Sequence, residues 1–321
     1  MSGGYWLGVD LGGTKILSGL FDDGMKLMAR SKMPTTAESG AAGVFERIVQ
    51  GVDAVLREAN IDHTQVCGLG FGIPGQVEVG TTRVRYAPNL EWRDIDLKQF
   101  MPASWRWPVM VENDVRMGTY GEFKHGAARG ARNVLGVFAG TGVGGGLILN
   151  GELYTGFNGH AGEFGNLIVQ WRRGTTLEEV AGRKHMMKRA KAKLDDAPKR
   201  VRKEWKGVNL EGVRSSQLAE YYQKDDPIAI QLVDDAARAI AAGIGGVVNF
   251  LSPEVVVIGG GVAGALGENF IERIWEIAQR YTLPGAAAGV RCVPATLGDD
   301  SGIVGCASYT KAQVPAIAEV A

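Results

Sequence analysis

The chain has 321 residues, enough for a sizeable core and, by length, roughly two domains; hydrophobic residues at 45% and charged residues at 22% exclude wholesale disorder. With 35 Lys+Arg against 35 Asp+Glu the net charge is +0, which lacks the basic footprint of a general nucleic-acid binder. Cys67, Cys292 and Cys306 are too few and too far apart for a secreted disulfide framework, no signal-peptide pattern opens the chain, and no uncharged apolar run reaches ~18 residues, so a reducing cytoplasm and no membrane contact are expected.

The first segment, YWLGVDLGGTKILSGLFDDG, reads as strand, tight turn, strand: apolar β-formers flank Gly12-Gly13, and Asp22-Asp23-Gly24 ends the second strand. Residues 40–59 carry Val44, Ile48, Val52, Val55 and Leu56 at helical spacing. VCGLGFGIPG (66–75) is a buried strand closed by a Gly/Pro turn. WPVMVENDVRMGTYGEF (107–123) is a strand that runs through Asn113-Asp114 into a helix. NVLGVFAGTGVGGGLILNGELY (133–154) is again strand, glycine turn, strand, and a glycine-rich loop (155–166) leads to a helix from Leu177. Residues 183–206 hold eleven Lys/Arg among twenty-four, the pattern of a solvated helical pair. A long apolar helix over 228–250 follows, then strand, glycine turn and helix over 253–279, a last strand at 290–297, and a terminal helix opened by GDDSGIVGCASYTKA.

Glycine, at 47 residues, is about twice average usage, and it clusters at turns. Segments 9–21 and 137–149 are both apolar strand, Gly/Thr turn, apolar strand, which suggests two related lobes presenting glycine hairpins to a shared cleft. Backbone N–H groups in such turns, free of Cβ obstruction, make an anion-binding nest. In DLGGTK, Asp10 ends a strand where its carboxylate can hold Mg²⁺ through water, with Gly12, Gly13, Thr14 and Lys15 toward phosphate oxygens; a plain hairpin with an exposed Lys is the alternative. GTGVGG (140–145) and GGGVAG (259–264) both match G-x-G-x-x-G. The first is followed by a strand, against a dinucleotide fingerprint. The second lies between strand and helix, but lacks the acidic residue expected about 20 positions on, and its helix start equally seats a nucleotide. Three converging glycine turns suggest a nucleoside triphosphate. Asp114, where a buried strand meets a helix, can then accept a proton from an attacking hydroxyl, or serve only as the helix N-cap.

At these residues the sequence resembles the ROK family (repressor, open reading frame, kinase), a branch of the actin/hexokinase-like ATPase fold. The match is carried by VDLGGTK (9–15), GFGIPGQVE (70–78), APNLEW (87–92), VENDV (111–115), AGTGVGGGLILNGELYTGFNGHAGEFG (139–165) and PEVVVIGGGV (253–262). The resemblance implies an α/β protein with a two-lobed, ribonuclease H-like ATPase fold and a cleft between the lobes. A smaller lobe over 1–120, completed by the C-terminal helix at about 302–321, and a larger lobe over 121–301 are expected. The implied activity is ATP- and Mg²⁺-dependent phosphorylation of a glucose-like hexose at its primary hydroxyl. Asp114 would be the base. Gly75, Asn89, Asn113, Glu163, Asn166 and Glu178 would contact sugar. Gly140, Thr141, Gly142 and Gly144 would hold phosphates, and Gly260, Gly261 and Val262 would line adenosine. The expected partners are the sugar and ATP, with a homodimer and neither nucleic acid nor membrane; the first strand starts at Tyr5, leaving no room for the DNA-binding extension of the family's repressors.

One departure from the family pattern is sharp. Many members hold zinc with a His in G-E-I-G-H and three Cys in C-x-C-G-x-x-G-C-x-E. Here the His position is Asn166 and the Cys positions are Val169, Trp171 and Thr176, with only His160 nearby, so no zinc is expected. A polyphosphate donor, served by the basic stretch, and a non-catalytic sugar sensor are the other readings.

Overall fold

The computed structural model describes residues 4–318. The opening hairpin forms as its sequence requires: β1 (Tyr5–Leu11) and β2 (Lys15–Phe21) are almost wholly buried and pair from Trp6↔Phe21 to Leu11↔Ile16. β3 (Leu27–Pro34), which the apolar pattern does not announce, extends them as an edge strand with only Ala29 buried. α1 (Gly40–Ala59) buries the stripe of Val44, Ile48, Val52, Val55 and Leu56, with Phe45 added. β4 (Val66–Ile73) then runs parallel to β1. A small three-stranded sheet of β5 (Gln76–Val77), β6 (Arg83–Ala87) and β7 (Trp92–Asp96) follows, also unannounced. β8 (Val109–Asn113) closes the first main sheet in the order β3-β2-β1-β4-β8, and α2 (Asp114–His125) follows it directly.

The second half repeats this plan. β9 (Val134–Ala139) and β10 (Val143–Leu149) form the second glycine hairpin, edged by β11 (Glu152–Leu153). A short pair, β12 (Ile168–Gln170) and β13 (Thr175–Thr176), leads to α3 (Leu177–Ala181), α4 (Arg183–Asp196) and α5 (Lys199–Glu204). α6 (Ser215–Gln223) and the long α7 (Pro227–Leu251) precede β14 (Val255–Gly259). The expected single helix after β14 is two, α8 (Gly260–Leu266) and α9 (Glu268–Gln279), broken where Gly267 takes φ +78°. β15 (Arg291–Pro294) completes a sheet of order β11-β10-β9-β14-β15.

α10 (Ser301–Ala318) ends the described chain; residues 319–321 of the helix expected at 302–321 lie outside the described residues. It lies on β1 and β4, α2 lies on β9 and β10, and the two helices pack on each other, so the sheets face one another across a helical layer. The approach is close enough to demand glycine. A Cβ on Gly70 would stand 2.3 Å from the Cys306 carbonyl oxygen, and one on Gly305 would strike the Met117 carbonyl oxygen at 1.7 Å.

Candidate active site

The parallel register places the acidic groups. Asp10 pairs with Gly72 and Ile73 with Asn113, so the carboxyl ends of β1, β4 and β8 lie side by side, the edge where open α/β sheets hold ligands. Gly72 sits between the two predicted carboxylates: a Cβ there would stand 3.2 Å from the Asp114 Cα and 3.7 Å from Asp10 Oδ1. Burial, followed by Asp114, pushes the Asp10 carboxyl up to about 7; Lys15 opposes this and Asp299 adds to it. Burial pushes Asp114 up to about 6, against the pull of the Val115 N–H, and Glu163 raises it further.

The helix cap is not Asp114. Asn113 Oδ1 accepts from Val115 N at 3.0 Å and Arg116 N at 3.1 Å, and Asn113 Nδ2 donates to the Gly75 carbonyl at 3.2 Å. Asn113 therefore carries the cap, taking both the Val115 and Arg116 N–H groups, while Asp114 Oδ1 shares the Val115 N–H at 2.9 Å. Gly75 itself has φ +150°, and a Cβ would meet the Tyr86 carbonyl oxygen at 2.2 Å. Asn89 is exposed beside Gly13, its Cβ 3.5 Å from where a Gly13 Cβ would stand.

Glu163 is drawn into this cluster by a residue the sequence did not single out. Arg116 is 3% exposed; Nη1 donates to Glu112 Oε1 at 2.9 Å, Nη2 donates to the Gly159 carbonyl at 2.6 Å, and Nη2 stands 3.7 Å from Glu163 Oε1. One buried guanidinium thus ties the 155–166 loop to the strand that ends at Asn113, one residue before Asp114. Asn166 Nδ2 donates to Glu163 Oε2 at 3.3 Å. Val169 is half-buried and Trp171 is exposed; among the described residues no group of three or more His, Cys, Asp or Glu is placed to hold a metal ion.

The second glycine turn is anchored by main chain. Gly140 O accepts from Arg183 N at 3.1 Å and Thr141 O from Lys184 N at 3.0 Å. Glu178 Oε2 accepts from Val143 N at 2.8 Å. Of the two carboxylates expected to read sugar hydroxyls, Glu163 lies near Asp114, while Glu178 holds the second glycine turn beside Gly142 and Gly165. Gly144 packs on Val115, so it joins the turn to α2. Gly260, at φ +88°, and Gly261 are exposed at the end of β14, close to Gly140, whereas Val262 is buried in the core and leaves that surface to the glycine backbone. The sequence also passed over Val213–Ser215: a Gly261 Cβ would lie 3.3 Å from Ser215 Oγ.

Two α/β lobes of repeated plan, with a helical layer between and a cleft floored by strand ends and glycine turns, define the actin-like fold of sugar kinases and their relatives. The ROK family model matches residues 6–313, and the chain belongs to the ROK family. A glucokinase of Halalkalibacterium halodurans is 32% identical over 98% of this chain and 97% of its own length. A ROK family glucokinase from Streptomyces griseus, solved in complex with glucose and AMPPNP, superposes with a TM-score of 0.81 at 28% identity, covering 96% of this chain and 100% of that one. A ROK hexokinase from Thermus thermophilus gives 0.79 at 30% identity, over 97% and 99%. No helix among the described residues is long and apolar enough to cross a membrane.

Proposed function

We propose that the protein is an ATP-dependent hexose kinase that phosphorylates a glucose-like sugar at its primary hydroxyl, with Asp114 as the base. The observation that carries this reading is the Asp114 carboxyl: left with a share of one helix-start N–H because Asn113 carries the cap, raised by burial to about 6, and set beside Asp10 at the end of three strands. A carboxylate of that pKa is ionised at neutral pH and basic enough to take the hydroxyl proton as the phosphoryl group is attacked. The relatives named above, one of them bound to glucose and AMPPNP, support a sugar as acceptor and ATP as donor.

The residues present fit Mg²⁺. Asp10 has Asp114 and Asp299 as carboxylate neighbours and only Lys15 to offset them, so the cluster is short of positive charge. With no protein cage among the described residues, Asp10 would hold the ion through water. Bound there, Mg²⁺ would neutralise charge on the donor's phosphates. The rest falls to the chain. The Gly12 and Gly140 N–H groups close their own turns on Lys15 O and Gly142 O, which leaves Gly13, Thr14, Thr141 and Gly142 to present amides to phosphate oxygens; Gly260 and Gly261 face adenosine, and Glu163 accepts hydroxyl protons of the ring in hydrogen bonds, steadied by Arg116. The smaller lobe, 1–120 with the C-terminal helix, closes on the larger, 121–301, to exclude water.

A coupled ADP-release assay over glucose, mannose, fructose, allose and N-acetylated hexoses tests the reading. Turnover with one of them, and product phosphorylated at the primary hydroxyl by NMR, is the expected result. Sugar binding without turnover would make the protein a sensor, and faster turnover with polyphosphate at equal phosphoryl concentration would replace the donor.

A further inference from the structure

The second turn carries a cation that has no ion-pair partner among the described residues. Arg183 opens α4, and beyond its main-chain bond to Gly140 its Nη2 donates to Thr141 Oγ1 at 3.1 Å and its Nη1 to the Val213 carbonyl. Burial lowers its basicity, and among the described residues no carboxylate forms an ion pair with it. Lys15, the cation of the first turn, is already matched by Asp299 at 2.6 Å. A half-buried guanidinium beside open amides, with no anion of its own, is a site short of negative charge.

Its surroundings say which anion. Thr141 belongs to the turn proposed for phosphate, and Val213 leads to Ser215, which borders Gly261 on the side proposed for adenosine. Arg183 therefore stands between the two. Its two arms each spend one N–H on the protein, leaving the remaining N–H groups of a rigid fork to face an oxyanion.

We propose that Arg183 is the cation that binds the phosphate chain of the donor, with Thr141 holding its guanidinium in place. This rests on reading the protein as an ATP-dependent kinase. Charge-assisted bonds of this kind make the loss large, and it falls on phosphate-bearing ligands alone.

Calorimetric titration of wild type, Arg183→Gln and Arg183→Lys with MgATP, adenosine and inorganic tripolyphosphate tests it. The expected result for Arg183→Gln is about 10- to 100-fold weaker ATP binding with adenosine unchanged. Arg183→Lys recovers part of the loss, because it returns the charge without the fork. In steady-state kinetics the KM for ATP rises while the KM for sugar stays. ATP affinity of Arg183→Gln within about twofold of wild type overturns the proposal. So does an equal loss of adenosine binding, which would mean only that Val213–Ser215 had come loose. If wild type binds tripolyphosphate but neither ATP nor adenosine, the nucleotide reading falls instead. Arg183 is then decided by tripolyphosphate: weaker binding to Arg183→Gln keeps it, and equal binding removes it.

Discussion

In the first hairpin β1 delivers Asp10, and the turn from Gly12 to Lys15 follows; in the second β9 ends on Ala139, and Gly140 to Gly142 follow. The two are built alike and held differently. Lys15 reaches Asp299 through an ion pair between half-exposed side chains, while the second turn is fixed by Arg183 N, Lys184 N and the Glu178 carboxylate. The repeat thus copies the backbone that presents amides and leaves the charges free to differ. The first turn follows an acid, Asp10, while the second is tied by its Gly140 and Thr141 carbonyls to α4 and by the Val143 N–H to Glu178 on α3. Each can be attacked separately.

Asp114 belongs to neither turn and gives the largest effect. Asp114→Asn lowers kcat by about 10²- to 10⁴-fold, the usual worth of a general base. The melting temperature moves little, since Asn113 holds the cap. Retention of more than about half of kcat would move the base to Glu163 or Glu178, because loss of a real general base costs far more. Next comes Gly142→Ala. Its Cβ would stand 2.2 Å from Glu178 Oε2, so the carboxylate must leave Val143 N. Losing a bond to a charged group predicts a fall in kcat/KM of about 10- to 100-fold, with the KM values for ATP and sugar rising together. A change in only one KM would show that Glu178 serves one substrate and does not couple them.

The acidic side of the comparison is sharpened by pH. Activity rises as Asp114 and Asp10 ionise, near about 6 and about 7. Both carboxyls hold protons more tightly folded than at the ordinary value of 3.8. Their contribution to stability is full at lower pH and is lost as pH rises through the folded values, because an ionised carboxylate is disfavoured in this cluster. Asp10→Asn therefore narrows the gap between melting temperatures measured at pH 5 and pH 8; an unchanged gap would show that Asp10 titrates normally. The smallest effect is at Lys15. Its pair with Asp299 is solvent-exposed, so Lys15→Met changes stability by less than about 1 kcal/mol in chemical denaturation. The KM for ATP rises less than about threefold, the scale of an exposed ion pair. A loss matching that of Arg183→Gln would return the phosphate charge to the first turn.

Much of this frame was legible in the sequence because its signals are local. Glycines between β-branched runs announce both hairpins, the 3.6-residue stripe announces α1, and a strand running into Asn113-Asp114 announces the start of α2. What escaped depends on distant partners. β3 has only one buried residue, so no alternation marks it; it exists because β2 offers a free edge. Arg116 reads as one more helix charge until Glu112 and the Gly159 carbonyl surround it. Arg183 reads as the first residue of a solvated basic stretch, and only the fold puts it against Thr141. Glu178 reads as a sugar ligand by motif, yet the bond it makes is to the main chain of Val143.

α10 covers β1 and β4 through glycine contacts too close for any other residue, and Gly302 brings it against Asp10, where a Cβ would stand 2.6 Å from the carboxylate. During synthesis this helix leaves the ribosome some three hundred residues after the hairpin it covers. The first sheet must wait with an uncovered apolar face until α10 has emerged, a long-range closure of the slow kind. A nascent chain stalled before Ser301 therefore has its first glycine turn but no floor beneath it, and only a chain that includes α10 can assemble the acidic end of the cleft.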